Sequence, residues 1–158
     1  MELYTINEEY ITYLKTFSEN VRYNKNESRP YVGIILKINE YNYFAPLGSP
    51  KPKHINMKES LDFMKIENGT AGVINLNNMI PVSLKYAKKI DFSLYDKKYI
   101  GLLKKQARWI NENTIKIKER TLKLYKVITE KENTIYHKRS NNFKFLEEKM
   151  SEYISTKN

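Results

Sequence analysis

A chain of 158 residues, 41% hydrophobic and 29% charged, is long enough to bury a core as one domain. It contains no cysteine and no apolar run of membrane-spanning length, which removes disulfides, thiolate metal sites, cysteine nucleophiles and a membrane helix. Its net charge of +10 favours a polyanionic partner, most simply nucleic acid; the excess lies in residues 21–60 and 96–132, while residues 1–20 are acidic.

Leu3-Tyr4-Thr5-Ile6 reads as a short strand, and the start of the chain lacks the basic and apolar segments of a signal peptide, so the cytoplasm is the expected compartment. Asn7 is placed to cap a helix, with Glu8 and Glu9 in the first turn where the helix dipole favours anions. Tyr10, Leu14, Phe17 and Val21 recur at helical spacing, with Tyr10 expected as a core ring. Residues 22–30 form a polar loop carrying Arg22, Lys25 and Arg29.

Tyr31 to Ile38 is a strand rich in β-branched and aromatic residues, and Asn39-Glu40 turns the chain into a second strand from Tyr41 to Leu47. Pro46, Pro50 and Pro52 then stiffen a corner that presents Ser49, Lys51, Lys53 and His54. A hydroxyl, two ammonium groups and an imidazole within six residues can clamp a phosphodiester; the plainer reading is a surface loop with solvated lysines. A short helix is expected over Met57 to Phe63 and a strand over Phe63 to Ile66. A turn follows at Glu67-Asn68-Gly69-Thr70, then a strand from Gly72 to Leu76, extended by Met79 to Val82. Asn75, inside that apolar strand, reads as a structural bracket.

Beyond Leu84 the pattern becomes helical. Asp96 to Asn111 is a basic amphipathic helix, and Thr114 to Glu130 a second, with Ile117, Leu124 and Ile128 on one side. Residues 131–141 form an irregular basic connection before a last helix that begins at Asn142. Nucleotide-binding glycine fingerprints are missing, and two distant histidines without an acidic cluster argue against a catalytic metal. No cofactor is expected.

Several segments resemble one family. Ala45-Pro46-Leu47-Gly48-Ser49-Pro50-Lys51, Gly72-Val73-Ile74-Asn75-Leu76 with Met79-Ile80-Pro81, Lys105-Gln106-Ala107-Arg108-Trp109-Ile110, and Asn142-Phe143-Lys144-Phe145-Leu146-Glu147-Glu148-Lys149 are similar to the ToxN/AbiQ family. Its members are endoribonuclease toxins of type III toxin–antitoxin systems. The order of elements predicts an α+β fold over residues 1–158, sheet-rich in 1–92 and helical in 93–158, with a twisted antiparallel sheet of about five to seven strands. The resemblance implies that this sheet is barrel-like in the manner of MazF/Kid toxins. It also implies metal-independent, sequence-preferring cleavage of cellular or phage RNA by 2′-hydroxyl attack, leaving a 2′,3′-cyclic phosphate and a 5′-hydroxyl. A small structured repeat RNA would act as antitoxin and join several protein copies into an assembly.

Within that reading Lys51 stabilises charge on the phosphorane and Ser49 hydrogen-bonds the scissile phosphate. Arg29 matches a basic position that the family places before its strand. Lys53, His54, Lys104, Gln106 and Arg108 are expected RNA contacts. Gly48 departs from the hydroxyl residue usual before the serine, and Lys104 stands where some relatives carry an aromatic. The competing class is a non-catalytic RNA- or DNA-binding module, in which Ser49 and Lys51 only grip phosphate.

Overall fold

The computed structural model describes residues Met1–Asn158. Seven strands are formed: β1 (Glu2–Ile6), β2 (Tyr31–Ile38), β3 (Tyr41–Gly48), β4 (Phe63–Lys65), β5 (Val73–Asn75), β6 (Ile80–Pro81) and β7 (Ala87–Lys89). The helices are α1 (Glu8–Lys15), α2 (Pro52–Asn56), α3 (Lys97–Glu112), α4 (Thr114–Glu130) and α5 (Phe143–Lys157). No helix is long and apolar enough to cross a membrane.

Every strand pair is antiparallel, in the order β4-β5-β3-β2-β1-β7, with β6 beside β3. The α+β class with C-terminal helices is as expected. The barrel-like closure is not: the hydrogen-bonded path ends at β4 and β7, so the sheet is open. β7 itself was not anticipated, because three half-polar residues carry no alternation of their own. It exists as an edge laid along β1, with Tyr4 opposite Lys89 and Ile6 opposite Ala87.

Strand β3 is the hub. One side pairs with β2; the other pairs with β6 through Tyr43 and Phe44, then with β5 through Leu47 and Gly48. Both of its faces are covered. Tyr43, Ala45 and Leu47 join a core with Leu103, Ile110, Ile117 and Leu124 of α3 and α4. Phe44 points the other way, into a core with Tyr10, Ile11 and Leu14 of α1 and Leu146 and Met150 of α5. Period-two alternation between two covered faces explains why β3 reads as an almost continuous apolar run.

The helix starts are those that the sequence marks. Asn7, Asp96 and Asn142 each accept a backbone N–H three residues on, at 3.0, 2.9 and 3.1 Å. α1 stops at Lys15, so Phe17 falls beyond it, exposed, with the Lys149 ammonium 4.5 Å from its ring centre. Tyr10 is a core ring as expected, and its hydroxyl donates to the Pro81 carbonyl at 2.6 Å. The buried Glu147 ties α5 to the sheet and to α4: Oε1 accepts from the Tyr43 and Tyr125 hydroxyls, each at 2.7 Å.

The helix expected over Met57 to Phe63 is displaced. It forms instead as the single turn α2, with Pro52 as its first residue. Proline lacks the N–H that a first turn leaves unpaired and already holds a helical φ, so here it starts a helix.

Candidate active site

Beyond Gly48 the chain leaves β3 at the mouth of a cleft of about 480 Å³. Ser49, Lys51, Lys53 and His54 line it, together with Arg22, Lys25 and Arg29 from the loop before β2. The far wall is built by β5 and the segments around it, through Val73, Asn75 and Asn77, with Asp62 and Arg139. The wall is predominantly cationic, and Asp62 is its only carboxylate. Nowhere in the chain do three or more His, Asp or Glu side chains gather into a set that could hold a metal ion.

The corner is held by a reciprocal pair of hydrogen bonds. The Lys51 backbone N–H donates to His54 Nδ1 at 3.1 Å, and the His54 N–H donates to the Lys51 carbonyl at 3.0 Å. At the other end of α2 the Lys65 ammonium donates to the Ile55 carbonyl at 3.0 Å. The ends of this single turn are thus tied without using the side chains of Ser49 or Lys51. Both remain exposed to the cleft.

His54 has a different task from the substrate contact expected of it. Only 5% of it is exposed, and its Nδ1 lone pair is committed to Lys51, so Nε2 carries the hydrogen. Burial lowers its pKa below the usual 6.5, and Lys53 and Lys51 push the same way. A histidine with a depressed folded pKa stabilises the fold above the unfolded value, and that contribution fades as pH falls through 6.5. Wild type should therefore lose more stability than His54→Asn between pH 7.5 and pH 5.5. Urea midpoints of the two proteins check this; equal losses would contradict the assigned role.

Arg29 is brought to the cleft by two carbonyls. Its Nε donates to Tyr23 O at 2.6 Å and its Nη1 to Leu47 O at 3.3 Å, which aligns the loop before β2 with the end of β3. Burial lowers the Arg29 pKa; Tyr31 opposes this and Arg22 adds to it. A guanidinium starts far enough above neutrality to stay charged.

The expected RNA contacts on α3 do not join this group. Lys104 and Arg108 are exposed on the helix but do not line the cleft. Gln106 is 2% exposed and donates from Nε2 to the Ala71 carbonyl at 2.9 Å, so it is packed beneath the surface that an RNA would touch. The spacing from Leu103 through Gln106 to Ile110 is the apolar stripe of the helix, a signal that was present in the sequence.

Asn75 also departs from expectation. Its side chain lines the cleft, with Nδ2 3.5 Å from the point where a Cβ on Gly48 would sit. The same Cβ would stand 2.8 Å from Val73 Cγ2. Gly48 is thus matched to a β-branched neighbour across the β3–β5 pair, whose methyl fills that space.

Asp62 and Arg139 were not anticipated. They are 77 residues apart and meet as an ion pair at 2.5 Å.

The family described as "Toxin ToxN, type III toxin-antitoxin system" matches the chain over residues 2–151. The endoribonuclease ToxN of Bacillus thuringiensis subsp. kurstaki is 38% identical over 133 residues, which cover 81% of this chain and 69% of that protein. Two solved structures superpose over nearly the whole chain. One comes from work on type III toxin inhibition by a non-coding RNA pseudoknot, with a TM-score of 0.82, 33% identity and 96% of both chains covered. The other is AbiQ, a lactococcal anti-phage endoribonuclease of a type III system, with a TM-score of 0.84, 30% identity and 98% of both chains covered.

Proposed function

Because the chain belongs to the ToxN family of type III toxin–antitoxin systems, and is an endoribonuclease by that membership, we propose that it cuts RNA in the cleft at the end of β3 without a metal or cofactor. The observation that carries the proposal is the convergence of Ser49, Lys51 and Arg29 on one cationic cleft, with the corner fixed by backbone hydrogen bonds.

The substrate supplies the nucleophile. Its 2′-oxygen attacks the adjacent phosphorus, the bond to the 5′-oxygen breaks, the 2′-hydroxyl proton is lost and the leaving 5′-oxygen gains one. The Lys51 ammonium meets the negative charge that builds on the non-bridging oxygens. Ser49 donates a hydrogen bond to the same phosphate, and Arg29, anchored on Leu47, holds the strand in line. The products are a 2′,3′-cyclic phosphate and a 5′-hydroxyl. His54, locked on Lys51, is a scaffold for this geometry and not its base.

All 158 residues act as one functional unit in this reading, on cellular or phage RNA in the cytoplasm. Its antitoxin is a small repeat-derived RNA folded as a pseudoknot, which occupies the basic cleft and joins several protein copies into an assembly. Lys53 in the cleft, and Lys104 and Arg108 on α3, extend the RNA path beyond the scissile phosphate.

Incubating RNA with purified protein in excess EDTA tests the chemistry. Cleavage should persist, and the ends should resist polynucleotide kinase at the 2′,3′ position unless its phosphatase is active, while the 5′ ends accept phosphate directly. Cleavage abolished by EDTA and restored by magnesium, with 5′-phosphate ends, would refute the mechanism.

A further inference from the structure

We propose that Arg139, oriented by Asp62, binds the non-bridging oxygens of an RNA phosphate next to the scissile one. The proposal rests on the endoribonuclease reading of the cleft and adds to it a recognition residue on the opposite wall.

One edge of the guanidinium is fully used. Nε and Nη2 of Arg139 donate to Oδ2 and Oδ1 of Asp62 at 2.5 and 3.0 Å. Asp62 is only 2% exposed, and its Oδ1 also accepts from the Ser60 hydroxyl at 2.6 Å. The hydrogen bond to Asp62 raises the Arg139 pKa, so the group is permanently charged. The backbones are tied as well: the Asn77 N–H donates to the Asp62 carbonyl at 3.1 Å, and Asn77 Nδ2 donates to the Arg139 carbonyl at 2.9 Å. The Tyr136 ring lies 5.3 Å from the guanidinium carbon.

The other edge has no protein partner. Nη1 and the second Nη2 hydrogen of Arg139 are uncommitted, 49% of the side chain is exposed, and the residue lines the same cleft as Ser49 and Lys51. Two parallel donors on a planar group match the paired oxygens of a phosphodiester. Because Asp62 offsets the charge of Arg139, the pair adds little long-range attraction. Its contribution is direction, which the flexible lysines of the cleft do not provide.

That distinction gives opposite signs in an experiment. Asp62→Asn removes a negative charge from a cationic cleft, so attraction alone predicts tighter RNA binding. A lost tether on Arg139 predicts weaker binding. Binding is read by fluorescence anisotropy with an RNA made uncleavable by a 2′-deoxy sugar at the cut site, and turnover with the all-ribose strand.

Arg139→Gln, Arg139→Lys and Asp62→Asn should each weaken binding, the first by about tenfold. A methylphosphonate at one linkage flanking the cut should weaken wild type to a similar degree and have no further effect on Arg139→Gln. The double variant Asp62→Asn/Arg139→Gln leaves no buried charge unpaired and serves where the single variant does not fold.

Wild-type binding and turnover by a folded Arg139→Gln or double variant would overturn the proposal, as would tighter binding by Asp62→Asn. So would an altered base preference in the sequenced cleavage ends, which makes Arg139 a base reader. If wild type cuts no RNA, the endoribonuclease reading fails, while the anisotropy series still decides whether Arg139 binds phosphate.

Discussion

Lys51→Ala should lower kcat for RNA cleavage by roughly 10²–10³-fold and leave the protein folded. The magnitude is that of one cationic donor meeting the charge that develops on the phosphate, about 3 kcal/mol of barrier. Stability should hold because the Lys51 ammonium makes no hydrogen bond or ion pair within the chain; the corner depends on its backbone, which alanine retains. Surface truncations of this kind stay within about 0.5 kcal/mol. Because the ammonium acts on charge that develops during the reaction, the loss should fall on kcat and leave KM near its starting value. Lys53→Ala, two residues along and exposed, should instead raise KM. Ser49→Ala separates catalysis from mere binding: a folded Ser49→Ala protein that cuts RNA and arrests growth like wild type would make the site a phosphate grip. Single-turnover cleavage together with urea unfolding of each variant measures both quantities.

The parts of the fold that were legible in the sequence are those with local chemistry. Asn7, Asp96 and Asn142 cap because a short polar side chain reaches its own helix, and β2–β3 announces itself by β-branched and aromatic residues around a two-residue turn. The three prolines mark the corner as stiff, but proline also opens a helix at its first position, so the turn of helix begins at Pro52, five residues before the expected Met57. The local signal for the role of His54 is its place three residues after Lys51, where a side-chain acceptor closes a helix start. The Asp62–Arg139 pair had no local signal at all. Its partners lie on a loop before β4 and on the connection between α4 and α5, and only the packing of the helical half against the sheet brings them within 2.5 Å. Open sheet edges were equally beyond reach, since closure depends on which strand ends meet and not on what any strand contains.

Gly72→Ala should be among the most damaging single substitutions in the chain, and it should harm the site as well as the fold. Gly72 holds φ at +100°, and a Cβ there would stand 2.2 Å from the carbonyl oxygen of Gly48, the residue immediately before Ser49. The obstacle is backbone, so no rotamer change relieves it. The next neighbour, Gln106 Nε2 at 3.2 Å, is itself held by the Ala71 carbonyl and cannot retreat freely. Either the turn before β5 moves, breaking the Gly48–Val73 and Leu47–Ile74 register, or Gly48 moves and carries Ser49 with it. Left-handed strain on a residue with a side chain and a displaced backbone together should cost roughly 3 kcal/mol or more. Where the variant is still folded, an ångström of displacement at Ser49 should lower cleavage by about 10²-fold. Gly101→Ala supplies the contrast. Nothing lies within 4 Å of a Cβ there, inside α3, so alanine should stabilise the protein by about 0.5–1 kcal/mol and leave cleavage unchanged. Thermal unfolding and low-temperature cleavage assays on the two variants read both effects. A Gly72→Ala protein as stable and as active as Gly101→Ala would mean that the end of β3 does not govern the position of Ser49.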